Sequence, residues 1–196
     1  PLSQKIMCAW NLRVMQVSKQ INKPIPNCYW VQPGQLLAGE YPLTLSKKQT
    51  AGRIQSFLEA GVTQFIDLTN EGEMPAYHPH LPEMFAEHAI GYQRFALVDH
   101  GVPESVQQMA VILDAIDQAI HHKGCVYVHC RAGIGRTGMV VGCHLVRQGY
   151  QTHEALEALN MLWLESERSK SFLHVPETDA QELFILEYTD LRSVGA

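Results

Sequence analysis

The stretch Cys125-Val126-Tyr127-Val128-His129-Cys130-Arg131-Ala132-Gly133-Ile134-Gly135-Arg136-Thr137-Gly138 decides how this chain reads. Cys125 to His129 is a short apolar run rich in β-branched and aromatic residues, which predicts a buried strand. Cys130 to Gly135 is a loop whose two glycines let the backbone turn tightly and approach a ligand. From Arg136 to Gln148 the pattern is helical, and Gly149 is its stop. A strand that feeds a tight loop at the mouth of a helix is a cradle for anions. Successive N–H groups converge on one centre, and the helix N-terminus adds partial positive charge.

Outward from this stretch, strands and helices alternate. Tyr29 to Val31 and Leu36 to Ala38 flank Pro33-Gly34 and predict a pair of short strands in a hairpin. Ser46 with Gln49 forms a capping-box pattern that opens a helix running to about Ala60, with Gly61 past its end. Val62 to Leu68 predicts a buried strand, and a loop over 70–82 leads into a short helix over 82–89. Tyr92 to Leu97 is a further strand, and Val98 to Pro103 a loop. Val106, Met109, Ala110, Leu113, Ile116 and Ile120 recur at helical spacing between Pro103 and Lys123, with Gly124 as the stop. Amphipathic helices follow over Thr152 to about Glu165 and Asp179 to about Leu191. The apolar stripe Leu156, Leu159, Met161, Leu162 and Trp163 reads as core rather than as a partner groove.

The alternation predicts a single α/β domain with a central, mostly parallel sheet flanked by helices. Such sheets bind ligands at the carboxyl ends of their strands. We place the domain over residues 29–196, with 1–28, closing on Pro24-Ile25-Pro26, as an extension.

At 196 residues the chain is long enough to bury a core without staples. Hydrophobic residues make up 46% and charged residues 18%, a globular composition rather than a disordered one. A net charge of −5 gives no electrostatic footprint for nucleic acid. No apolar run is long enough to span a membrane. The five cysteines, Cys8, Cys28, Cys125, Cys130 and Cys143, are odd in number and lack C-x-x-C spacing. They predict neither a disulfide framework nor a zinc site, and we expect a reducing, cytoplasmic setting. Cys125 and Cys143 read as buried thiols, a disulfide to Cys130 on oxidation being the alternative. The ten histidines show no ligand-like spacing with carboxylates or thiols.

The 129–138 stretch also carries a nucleophile. Cys130 lies at the lip of the loop, where the helix N-terminus, the converging N–H groups and Arg136 all favour negative charge on sulfur. The planar fork of Arg136 can hold two oxygens of a phosphate, and the amides of Arg131, Ala132, Gly133, Ile134 and Gly135 can hold the rest. His129 can fix the loop through its ring nitrogens, and Thr137 offers a hydroxyl able to donate to the sulfur. An alkoxide or phenoxide displaced from phosphorus needs a proton. Asp99, in the loop Val98-Asp99-His100-Gly101-Val102-Pro103, is the candidate donor, with Asp67 and Glu104 as alternatives. No cofactor or metal is required, because the amides and Arg136 carry the electrostatic load.

The run HCRAGIGRTG resembles the signature loop H-C-x-x-G-x-x-R-[S/T] of the cysteine-based protein tyrosine phosphatase superfamily. Asp99 lies 31 residues before Cys130, a spacing similar to that of the dual-specificity branch. Leu36 to Pro42 and Phe65 to Leu68 resemble the first strands of compact dual-specificity-like members. Thr178-Asp179-Ala180-Gln181 is similar to the T-x-x-Q that follows the signature helices in many members. The resemblance covers about residues 29–190 and implies a phosphocysteine intermediate on Cys130, with Gln181 positioning the hydrolytic water. The chain has no equivalent of the long phosphotyrosine-recognition segment of the larger domains, which implies a shallower pocket. The loop's single extra cation, Arg131, and its apolar Ile134 point to a phosphorylated protein or peptide, phosphotyrosine first. A phosphoinositide or small phosphate ester is the second substrate class, and a phosphate-binding pseudoenzyme the rival to catalysis.

Overall fold

The computed structural model describes residues 22–43, 47–81 and 90–193. Five strands form one sheet: β1 (Cys28–Gln32), β2 (Leu36–Gly39), β3 (Gln64–Asp67), β4 (Gly91–Arg94) and β5 (Val126–His129). Their order is β1-β2-β5-β3-β4. Only β1 runs antiparallel, to β2, across the turn in which Gly34 takes φ +74°. The other pairings are parallel. Among the described residues, five α-helices accompany them: α1 (Lys47–Glu59), α2 (Val106–His121), α3 (Gly135–Arg147), α4 (Thr152–Trp163) and α5 (Asp179–Glu187). The fold is the single α/β domain with a mostly parallel sheet that the alternation of elements predicts.

Strand side chains alternate between two faces, as a period of two requires. Tyr29, Val31, Leu36, Ala38, Ile66, Val126 and Val128 pack into one cluster with residues of α2, α3, α4 and α5. Cys28, Trp30, Leu37, Phe65 and Tyr127 pack into a second with Ile54 and Phe57 of α1. Because both faces are covered, these strands read as apolar runs. Ile25 is buried in the second cluster.

Several boundaries differ from the sequence reading. β3 is shorter than Val62 to Leu68, because Val62 and Thr63 are taken by Phe57 O and Cys125 O. β4 ends at Arg94 rather than Leu97, although the Phe95 and Leu97 N–H groups still donate to Asp67 O and Leu68 O. At the end of α2 the left-handed position is filled by Lys123, at φ +61°, not by Gly124. α5 stops at Glu187 instead of reaching Leu191. Tyr188 turns extended and is buried, and Asp190 bonds Arg147 on α3. In α4, Leu159 and Trp163 are buried, but Met161 faces outward. Ser46, the proposed capping residue of α1, the predicted helix over 82–89 and Cys8 lie outside the described residues.

The register brings the site together. Gly39 and Asp67 both pair with His129, and Asp67 pairs with Arg94. Four parallel strands therefore end at one level, and β5 delivers Cys130 to the centre of that edge.

Candidate active site

The loop after β5 curls back on its first residue. The Gly133 N–H donates to Cys130 Sγ at 3.3 Å. Gly133 has φ +76°, and a Cβ there would stand 2.5 Å from the Gly39 carbonyl carbon and 2.7 Å from Glu40 N. Only glycine allows the loop to lie this close to the end of β2. Tyr41 fastens the other side, its N–H donating to Arg131 O at 3.2 Å. Cys130 and Ile134 are buried, Ala132 is half-buried and Arg131 is exposed.

Arg136 lies in the first turn of α3 and is buried beneath this loop. Its Nη1 and Nη2 donate to the two Glu73 oxygens at 2.7 and 2.6 Å. Nη2 also lies 2.8 Å from Asp99 Oδ1, and Nη1 reaches Leu97 O at 3.2 Å. The pair with Arg136 pulls the Glu73 carboxyl down to about 2, against the burial that works to raise it. Asn70 steadies Glu73 by donating its N–H at 3.0 Å. The Arg136 Nε–H is buried with no partner.

Behind Cys130, His129 is fully buried between aromatic rings. Burial, only partly opposed by Asp67, lowers its imidazole to about 4, so the ring is neutral near pH 7. Its Nε2 lies 2.7 Å from the Tyr77 hydroxyl. Burial pushes that phenol well up, so it keeps its proton near pH 7. Nδ1 faces Asp67 Oδ1 across 3.9 Å. Burial works to raise the Asp67 carboxyl, but His129, Thr69 and Tyr92 outweigh it and hold it low. With the imidazole neutral, the partners of the Asp67 carboxylate are the Thr69 N–H and hydroxyl, the Tyr92 hydroxyl at 2.7 Å and Arg94 at 3.3 Å.

Above the loop sits Asp99, on the segment between β4 and α2. Besides Arg136, it faces Arg131 Nη1 and His100 Nε2, each at 3.8 Å from Oδ2. Of the two alternative proton donors, Asp67 is enclosed behind His129, and Glu104 is exposed at the start of α2. Thr137 is buried beside Arg136, and its Oγ1 has no partner in this state. Gln181 is buried at the start of α5, on the flank of Gly135. Among the described residues no group of three or more His, Cys, Asp or Glu is arranged to hold a metal ion.

Glu73 and Tyr77 escape the sequence reading, and Asp67 enters it only as an alternative proton donor. Asp67 ends β3 and the other two follow it at the carboxyl edge of the sheet, and that position is the signal that points to them.

A family model described as the DSP-PTPase phosphatase domain of a Swiss Army Knife protein, PTP-SAK, matches residues 25–184. The chain belongs to this family. A mouse relative, protein tyrosine phosphatase domain-containing protein 1, is 29% identical over 147 residues. That match takes in 69% of this chain but only 18% of the relative. Among solved structures, kinase associated phosphatase with its catalytic site cysteine changed to serine superposes with a TM-score of 0.66. The identity is 17%, over 89% of this chain and 100% of the other. PTPMT1 in complex with PI(5)P gives a TM-score of 0.62 at 20% identity, over 82% and 93% of the two chains. These likenesses establish the fold of a phosphatase domain, and no helix among the described residues is long and apolar enough to cross a membrane.

Proposed function

We propose that this phosphatase domain is a metal-independent phosphomonoesterase that works through Cys130, Asp99 and Arg136. The convergence of these three side chains on one loop carries the reading. The Cys130 thiolate attacks phosphorus, the bond from phosphorus to the leaving oxygen breaks, and Asp99 gives that oxygen its proton. Water then attacks the phosphocysteine, the S–P bond breaks, and Asp99 takes the water's proton. The amides of residues 131–136 hold the phosphate oxygens. Glu73 occupies the Nη1–Nη2 edge of Arg136, so the phosphate takes the Nε–Nη2 edge, where Nε lacks a partner and Asp99 now sits on Nη2. Thr137 Oγ1, buried without another partner, suits the role of donor to the departing sulfur.

We assign a phosphorylated protein or peptide as substrate, phosphotyrosine foremost. The charges at the mouth support this class. Arg131 and His100 are matched there by Asp99 and Glu177, a balance suited to one phosphate rather than to a polyanion. The PI(5)P bound by PTPMT1 makes a phosphoinositide the competing substrate.

The test is phosphate release in EDTA from a phosphotyrosine peptide, a phosphothreonine peptide and a phosphoinositide, with Cys130→Ser alongside. We expect release that vanishes in the variant and is fastest from phosphotyrosine. Faster release from the phosphoinositide would move the substrate class. Release that survives Cys130→Ser, or none on any substrate, would overturn the mechanism.

A further inference from the structure

The loop that carries Asp99 is pinned from outside by the first turn of α5. Val98 to Gly101 is a tight turn closed by the Gly101 N–H donating to Val98 O at 3.0 Å. Asp99 and His100 are its central residues, and His100 stands at φ +61°. A non-glycine residue in the left-handed region is strained, so the turn needs support from its surroundings.

That support comes from the capping box of α5. The Gln181 N–H donates to Thr178 Oγ1 at 3.3 Å, and Gln181 Oε1 accepts from the N–H groups of Glu177 and Thr178, each at 3.2 Å. These bonds satisfy the helix end. The other half of the amide has no capping work to do. Its Nε2 donates instead to Gly101 O at 3.0 Å. Thr178 Oγ1 adds a longer bond to His100 O at 3.4 Å. On its far side Gln181 lies against the phosphate loop, where a Cβ on Gly135 would come within 2.8 Å of Oε1. Gln181 is fully buried, so these partners fix its amide orientation.

We infer that Gln181 is the positioning residue for Asp99: one buried amide locks the acid-bearing turn to α5 and to the phosphate loop, so that the carboxyl meets the leaving oxygen. This rests on the phosphatase reading above. It differs from a role in orienting the hydrolytic water, and the two act on different steps. Proton donation belongs to the departure of the leaving group, and water attack comes after it.

The experiment compares two aryl phosphates in EDTA, with Cys130→Ser as the blank. Phenyl phosphate releases a phenol of pKa about 10, which needs a proton. A difluorinated umbelliferyl phosphate releases a strongly acidic phenol, which does not. kcat/KM reports steps up to the departure of the leaving group, and kcat also includes attack by water. The variants are Gln181→Met and Gln181→Glu. The glutamate keeps an oxygen for the capping box and loses the donor to Gly101, so it carries the test if the methionine variant does not fold. Asp99→Asn sets the reference.

We expect the kcat/KM ratio of the acidic ester to phenyl phosphate to rise about tenfold in both variants, in the same direction as in Asp99→Asn. An equal fall on both esters would mean a merely structural role and would overturn the inference. A fall confined to kcat would assign Gln181 to the water step and overturn it too. Turnover that persists in Cys130→Ser, or wild-type protein that cleaves neither ester, would remove the phosphatase reading and this inference with it.

Discussion

Arg136 concentrates the electrostatics of the site on one side chain. Its guanidinium is buried, two of its N–H groups are held by Glu73, and Asp99 shares Nη2. Glu73 fixes the plane of the fork without occupying the edge assigned to phosphate. Glu73→Gln removes a charged acceptor from a buried cation, and bonds of this kind contribute about 2 kcal/mol. We expect the variant to lose about that much unfolding free energy, measured by urea denaturation. Its kcat/KM should fall at least about tenfold, because Arg136 then leans further onto Asp99. Wild-type kcat/KM in a folded Glu73→Gln would assign Glu73 a purely structural role. The three other described cysteines are buried thiols. Burial pushes the Cys28 thiol up to about 11, Cys125 up to about 12 and Cys143 well up, which leaves them inert.

At the scale of elements, the phosphate loop is shaped by β2 as much as by its own sequence. Gly133 rests against the Gly39–Glu40 peptide, and the Tyr41 N–H ties down Arg131 O. A methyl group on Gly133 would clash with backbone that cannot move aside and would also sit at a positive φ. Gly133→Ala should therefore cost about 2 kcal/mol or more and abolish activity by forcing the loop off β2. Thermal unfolding and phosphate release check both parts. A stable, fully active variant would show that the loop is not held by this contact. The glycines at 133 and 135 were legible in the sequence as loop formers. The close neighbours of each, the Gly39–Glu40 backbone at Gly133 and the Gln181 amide at Gly135, were not, because they are distant in sequence.

At the scale of the whole molecule, two histidines among the described residues are buried in their neutral form. Burial lowers His129 and His144 to about 4 each. His144, on α3, has no hydrogen-bond partner on either ring nitrogen and stands 4.0 Å from Asp117, with Arg147 and Arg192 nearby. An unfolded chain protonates histidine near pH 6.5, whereas the folded chain resists until about 4. The unfolded state therefore binds more protons between these values. The stability contributed by neutral burial is complete above pH 6.5 and is lost as pH falls toward 4. By pH 5 the loss is about 2 kcal/mol for each histidine. We expect His144→Leu to shrink the drop in unfolding free energy between pH 7 and pH 5 by about 2 kcal/mol. Urea denaturation at the two pH values reads the difference directly, and an unchanged drop would place the acid sensitivity elsewhere.

Local chemistry determined much by itself. The apolar runs at Phe65 and Val126 and the helical spacing from Val106 to Ile120 carried strand and helix identity, because periodicity is a property of neighbours in sequence. The run from His129 to Gly138 carried the anion loop and its cysteine for the same reason. What the tertiary structure decided is which distant groups meet there. Parallel pairing in register set Gly39, Asp67, Arg94 and His129 at one edge. That alignment brought Glu73 to Arg136, Tyr77 to His129 and Asp99 over the loop, and packing of α5 on α3 brought Gln181 to Gly101. Such contacts join residues tens of positions apart and leave no periodic trace along the chain. They arise only when the sheet aligns its strand ends and the helices close over both of its faces.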